Sequence, residues 1–121
     1  MKKTVMTVDD SSSMRQMLVF ALSSSGFEVV EAANGQEALA SMEQNGIDLL
    51  ITDLNMPVMN GLDLIKAVRS RPQWQFLPSL MLTTESQDSM KQAGKAAGAT
   101  GWIVKPFEQA KLLSVVQRVL G

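Results

Sequence analysis

Apolar positions follow two alternating rhythms along this chain. Short, nearly unbroken apolar runs occupy residues near 4–8, 27–32, 48–52, 79–83 and 100–104. Between and after them, apolar residues recur every three or four positions. Met14, Leu18, Ala21 and Leu22 form one such set, and Ala38, Leu39 and Met42 a second. Leu62, Ile65 and Val68 form a third, and Leu112, Val115, Val116 and Val119 the last. The 3.6-residue period predicts amphipathic helices, and the short continuous runs predict strands covered on both faces. The segment 87–97 carries Lys91, Gln92 and Lys95 and is the least apolar helix, so the loosest packing is expected there. Gly94 within it costs about 1 kcal/mol relative to alanine. Polar punctuation agrees with these bounds. Asn34 followed by Glu37 predicts a capping box, and a serine of 11–13 and Ser86 can cap two other helices. Gly26, Gly46 and Gly98 stand where helices should stop. No internal repeat, low-complexity tract or linker interrupts the pattern.

Strand and helix alternation predicts an α/β fold: a doubly wound, five-stranded parallel sheet with five helices on its two faces. Right-handed crossovers leave few topologies. In such sheets ligands bind beyond the carboxyl ends of the strands, where the strand order reverses.

The chemistry of the sequence gathers at those ends. Asp9 and Asp10 follow the first apolar run, and Asp53 the third. Thr83 and Thr84 close the fourth, and Lys105 precedes Pro106 after the fifth. Two like charges about 4 Å apart repel by roughly 4 kcal/mol at an effective dielectric near 20. Three carboxylates on one rim, with no arginine expected beside them, call for a cation. All-oxygen ligands suit a hard ion such as Mg²⁺, which typically shares its shell with waters and a phosphoryl group. Lys105 and the Thr83 hydroxyl could hold the remaining phosphoryl oxygens. A carboxylate can itself act as the nucleophile toward phosphorus and form an acyl phosphate.

Composition narrows the field. The 121 residues suit one domain. Neither cysteine nor histidine is present, which removes thiol chemistry, disulfides and the commonest general base. A formal net charge of −1 gives no nucleic-acid footprint. The apolar runs are too short to span a bilayer. Lys2 and Lys3 are followed by Asp9 and Asp10, which argues against a signal peptide. The expectation is a cytoplasmic, monomeric protein that engages neither nucleic acid nor membrane.

The stretches "VDDSSSMR", "LLITDLNMPVMNGLDLI", "LMLTT" and "AAGATGWIVKPF" resemble the receiver domain of two-component response regulators. The likeness is collinear over essentially the whole chain and leaves no output domain within it. It is nearest to the CheY-type single-domain chemotaxis regulators. The resemblance implies the strand order 2-1-3-4-5. It implies Asp53 as phosphoacceptor, with Mg²⁺ held by Asp10, Asp53 and the Asn55 backbone carbonyl, and with Asp9 assisting through water. Lys105 would contact the phosphoryl group, Thr83 would move to bond it, and Lys105–Pro106 would be a cis peptide. Trp102 stands where the family often has tyrosine or phenylalanine. Indole offers only an N–H donor, so the expected switch is one of volume: the ring swings inward as Thr83 moves. Asn55 and Glu85 occupy the positions that tune hydrolysis of the acyl phosphate. Lys91, Lys95 and Trp102 would face the output partner. The implied donor is a histidine kinase, and the implied output is a flagellar motor switch protein.

Other functions remain open at this point. A flavodoxin-like FMN carrier shares the fold class, but its first loop should cradle phosphate, and Asp9–Asp10 repels it. An aspartyl-nucleophile, Mg²⁺-dependent phosphohydrolase usually needs a second acid two residues on, where Asn55 stands, and a cap region. A phosphate sink without motor output, or a degenerate receiver serving as a scaffold, completes the set. The expectation is a phosphoacceptor and not a multiple-turnover enzyme.

Overall fold

The computed structural model describes residues 2–56, 58–84 and 88–120, with the backbone alone for 88–91. Five parallel strands form one sheet: β1 Thr4–Val8, β2 Glu28–Ala32, β3 Leu49–Asp53, β4 Ser79–Thr83 and β5 Gly101–Val104, in the order β2-β1-β3-β4-β5. The helices between and after them are α1 Ser12–Ser23, α2 Gly35–Gln44, α3 Gly61–Arg69, α4 Asp88–Ala97 and α5 Gln109–Leu120. The doubly wound sheet, its order and its five helices therefore stand as expected. A short 3-10 turn, Pro72–Trp74, follows α3 and has no counterpart in the sequence reading, because one turn is shorter than any periodicity.

Two apolar layers sandwich the sheet. Leu18, Ala21 and Leu22 of α1 and Leu112 and Val116 of α5 pack on Val5, Leu49, Ile51, Leu80, Leu82 and Ile103. Ala38, Met42, Leu64, Ile65, Val68 and Ala97, from α2, α3 and α4, pack on Met6, Val8, Leu50 and Met81 on the other face. Alternate residues of each strand thus serve opposite layers, which is why the central strands read as continuous apolar runs. In β3 and β4 every residue is buried.

The expected caps that fall on described residues are present, with one exception, and Asn60 adds a cap on α3 by accepting from the Asp63 N–H at 2.8 Å. Ser11 accepts from the Met14 N–H, and Asn34 accepts from the Glu37 N–H at 2.9 Å while Glu37 reaches back to the Ala33 N–H. Gly26 and Gly98 adopt φ of +93° and +99°, as helix-ending glycines do. Gly46 does not act this way. Helix α2 ends on extended Asn45, whose side-chain amide donates to the Ser41 carbonyl at 2.9 Å. A side chain caps that carbonyl, so no left-handed residue is needed. Ser86 lies outside the described residues.

Gly94 explains itself in tertiary terms. It is buried, and a Cβ there would lie 2.8 Å from Cζ3 of Trp102. The loss of helix propensity in α4 makes room for the indole of β5.

At the amino-terminal end of the sheet, Arg69 closes the structure. Its guanidinium donates to the carbonyls of Gly98 at 3.1 Å, Trp74 at 3.3 Å and Leu77 at 2.6 Å, and to Thr100 Oγ1 at 3.5 Å. Beside it, Arg71 stacks 5.1 Å from the centroid of Trp74 and pairs with Glu43.

Candidate functional site

Parallel pairing carries all five carboxyl ends to one rim. Val8 stands opposite Thr52, Asp53 opposite Leu82 and Thr83 opposite Val104. The residues just beyond β1, ending β3 and beyond β5 are therefore brought together, although 96 positions separate Asp9 from Lys105. Asp9, Asp10 and Asp53 each offer a carboxylate oxygen within 4.8 Å of the others. Asp9 and Asp53 are buried and Asp10 is exposed. Lys105 bridges the two buried acids, with Nζ 2.9 Å from Asp53 Oδ1 and 3.3 Å from Asp9 Oδ2.

One ammonium thus faces two buried carboxylates, and a third acid stands beside them. Burial pushes the Asp53 carboxyl above its ordinary value of 3.8; the Lys105 hydrogen bond opposes this and the Asp9 charge adds to it. For Lys105, burial works against the charged form. The Asp53 hydrogen bond and the charges of Asp9 and Asp53 outweigh it, and the pKa rises above 10.5. An all-oxygen set short of positive charge fits a hard divalent ion such as Mg²⁺.

The loop after β3 shapes the floor of the site. The Gly61 N–H donates to the Leu54 carbonyl at 2.9 Å, and any Cβ on Gly61 would overlap the Asp53 carbonyl oxygen. Only glycine lets α3 begin so close to the end of β3. Val58 in the same loop has φ +71° and is 81% exposed. A β-branched residue in the left-handed region is strained.

The remaining sequence candidates are distributed as follows. Thr83 ends β4, is buried, and its carbonyl accepts from the Lys105 N–H at 2.7 Å. Thr84 is exposed just beyond. Asn55 is exposed, two residues past Asp53. The Lys105–Pro106 bond is cis. Trp102 is half-buried against the layer of α2, α3 and α4. Lys95 is exposed on α4, while Glu85 and the side chain of Lys91 lie outside the described residues.

One expectation is overturned. An arginine does approach the acids: Arg15 of α1 donates through Nη1 to the Asp9 carbonyl at 2.5 Å, and its Nε lies 3.4 Å from Glu31 Oε1. Glu31 neutralises much of its charge and the contact is to backbone, so the carboxylates keep their deficit. The spacing Asp9 to Arg15 puts the arginine on the first turn of α1, a signal present in "VDDSSSMR".

The family model of the response regulator receiver domain matches residues 5–117. The chain belongs to the response regulator receiver family. The receiver is 43% identical over 119 residues to a protein named chemotaxis protein CheY1 of Helicobacter pylori, covering 97% of this chain and 96% of that one. It is 36% identical over 116 residues to chemotaxis protein CheY of Pseudomonas aeruginosa, covering 95% and 94%. The solved structure of Vibrio cholerae chemotaxis protein CheY4 superposes with a TM-score of 0.95 at 51% identity, covering 98% and 99%. Receivers of this kind are phosphoacceptors of two-component signalling. They bind Mg²⁺ at an acidic pocket and accept phosphate from histidine kinases. Among the described residues, no helix of this receiver is long and apolar enough to cross a membrane.

Proposed function

We propose that this receiver is a chemotaxis-type switch whose Asp53 takes a phosphoryl group from a phosphohistidine of a histidine kinase. The observation that carries this is the Asp9–Asp10–Asp53 cluster with Lys105 bridging its two buried members. Asp10, Asp53 and the Asn55 carbonyl would hold Mg²⁺, with Asp9 assisting through water; the bound ion would supply positive charge against the phosphoryl oxygens.

A carboxylate oxygen of Asp53 forms the new O–P bond as the N–P bond to the donor imidazole breaks, and the electron pair leaves with that nitrogen. Transfer of this kind depends mainly on alignment and charge stabilisation. Lys105 already bonds Asp53 Oδ1 and passes to the phosphoryl oxygens once that carboxylate is esterified. Thr83 moves to bond the phosphoryl group, and Trp102 follows into the space it leaves. The indole lies across Gly94 of α4, so its movement reaches the face formed by α4, β5 and α5, where Lys95 and Trp102 meet the output partner. The relatives are named chemotaxis proteins, which favours chemotaxis as the output; a flagellar motor switch protein is the partner of this proposal.

Mass spectrometry after incubation with acetyl phosphate and Mg²⁺ tests the reading. One phosphoryl adduct is expected on the wild type and none on Asp53→Asn. An adduct on both, or on neither, would sink the assignment of Asp53. Sustained turnover of a phosphate ester would favour the phosphohydrolase instead.

A further inference from the structure

We infer that Arg15 is a positioning residue of the cation site: it fixes the peptide between Asp9 and Asp10, and through it the Asp10 carboxylate. This rests on the metal site proposed above.

The two acids are held very differently. Asp9 is anchored at every polar atom. Its N–H donates to the Ala32 carbonyl at 3.2 Å, its Oδ1 accepts from the Ser11 N–H at 2.9 Å, its Oδ2 faces Lys105, and its carbonyl accepts from Arg15. Asp10 is exposed, and none of the described hydrogen bonds reaches its side chain or its backbone. The Asp10 N–H shares a rigid peptide plane with the Asp9 carbonyl. The bond from Arg15 to that carbonyl therefore holds the plane from which the Asp10 side chain departs.

Arg15 is itself fixed. It leaves α1 on the first turn, its side chain is only 19% exposed, and Glu31 of β2 pairs with its Nε. The planar guanidinium can serve the carbonyl and the carboxylate together, which a lysine ammonium on its flexible stem does less well. Groups behind the metal ligands commonly change affinity ten- to a hundredfold when removed.

Charge and positioning predict opposite signs. Arg15 is a cation near a cation site, so by charge alone its removal should tighten Mg²⁺ binding. By positioning, removal should weaken it. The test is calorimetric titration with Mg²⁺ of the wild type, Arg15→Gln and Arg15→Lys. About tenfold weaker binding is expected for Arg15→Gln, with Arg15→Lys between the two. Melting in chelator reports any loss of stability separately from the loss of Mg²⁺ affinity. Phosphorylation by acetyl phosphate should slow at limiting Mg²⁺ and recover at saturating Mg²⁺.

Equal or tighter binding by Arg15→Gln overturns the inference, as does a rate that stays low at saturating Mg²⁺ with affinity unchanged. If Arg15→Gln does not fold, the comparison of Arg15→Lys with wild type decides: equal affinity overturns the inference and weaker affinity supports it. Failure of the wild type to bind Mg²⁺ would count against the metal site itself, and so is distinguishable from failure of Arg15.

Discussion

Arg69 and Lys105 are half-buried cations at opposite ends of the sheet, and they are satisfied in opposite ways. Arg69, at the amino-terminal end, meets only neutral acceptors among the described residues: three carbonyls and a hydroxyl. Burial lowers its pKa, but guanidinium stays charged, and its planar fork of donors matches the acceptors around it. Lys105, at the carboxyl end, is shared between two buried acids that it cannot neutralise together. One end has its charge spread over dipoles already present. The other has a surplus of negative charge and a raised Asp53 pKa. A cation bound there for part of the time would supply the missing charge, in keeping with the function proposed for that rim.

The contrast can be broken first at its stable end. Arg69→Met removes four hydrogen bonds from a charged donor and should cost about 3 kcal/mol of stability. Urea unfolding measures it, and Mg²⁺ affinity should not change, because the proposed cation site is at the other end. A loss under 1 kcal/mol would mean that water replaces the guanidinium without penalty.

At the chemical end the expected effect is a gain. Mg²⁺ at a hundred times its dissociation constant should stabilise the wild type by about 2.7 kcal/mol, seen as a rise in melting temperature. Asp10→Ala should lose that rise, and in chelator should be no less stable than wild type because a repelling charge is gone. Identical Mg²⁺ responses would show the site to be misassigned.

Val58 sharpens the comparison on a smaller scale. Its left-handed backbone costs about 1–2 kcal/mol, and glycine would relieve this at an entropic cost of about 0.5–1 kcal/mol. Val58→Gly should therefore gain roughly 0.5–1 kcal/mol in thermal or urea unfolding. No gain would mean that the loop carries no strain.

The pH profile in chelator should give the smallest effect. Asp53 has a folded pKa above its ordinary 3.8, so the folded protein holds this proton more tightly than the unfolded chain. Its contribution is fully present below pH 3.8 and is lost as pH rises through the folded value. The stability of wild type minus that of Asp53→Asn should thus fall with rising pH across that window. A difference that rises instead would show that Lys105 dominates the carboxyl. Lys105 works in the alkaline range: its pKa is raised above 10.5, so the stability it lends is present below that pH and lost as pH climbs through the folded value.

Much of this was legible along the chain. The five apolar runs match the five strands to within a residue, because strands buried on both faces leave little choice of side chain. Asp9, Asp10, Asp53, Thr83 and Lys105 could be collected on one rim without coordinates, because parallel strands end on the same side and each stands at or just past such an end. The order of the strands and the cis Lys105–Pro106 bond came from the family likeness, not from spacing. Other features depend on partners distant in sequence. Gly94 reads as a weak point in a helix until the Trp102 ring is seen across it. Gly46 reads as a helix terminator, yet Asn45 does the capping. Arg69 gives no local sign of its partners, yet its nearest acceptors are backbone carbonyls. Periodicity and end position are properties of single elements and are written locally. Which carbonyl a guanidinium meets, or which ring fills the space above a glycine, is decided by elements packing against one another, and only the assembled fold contains that.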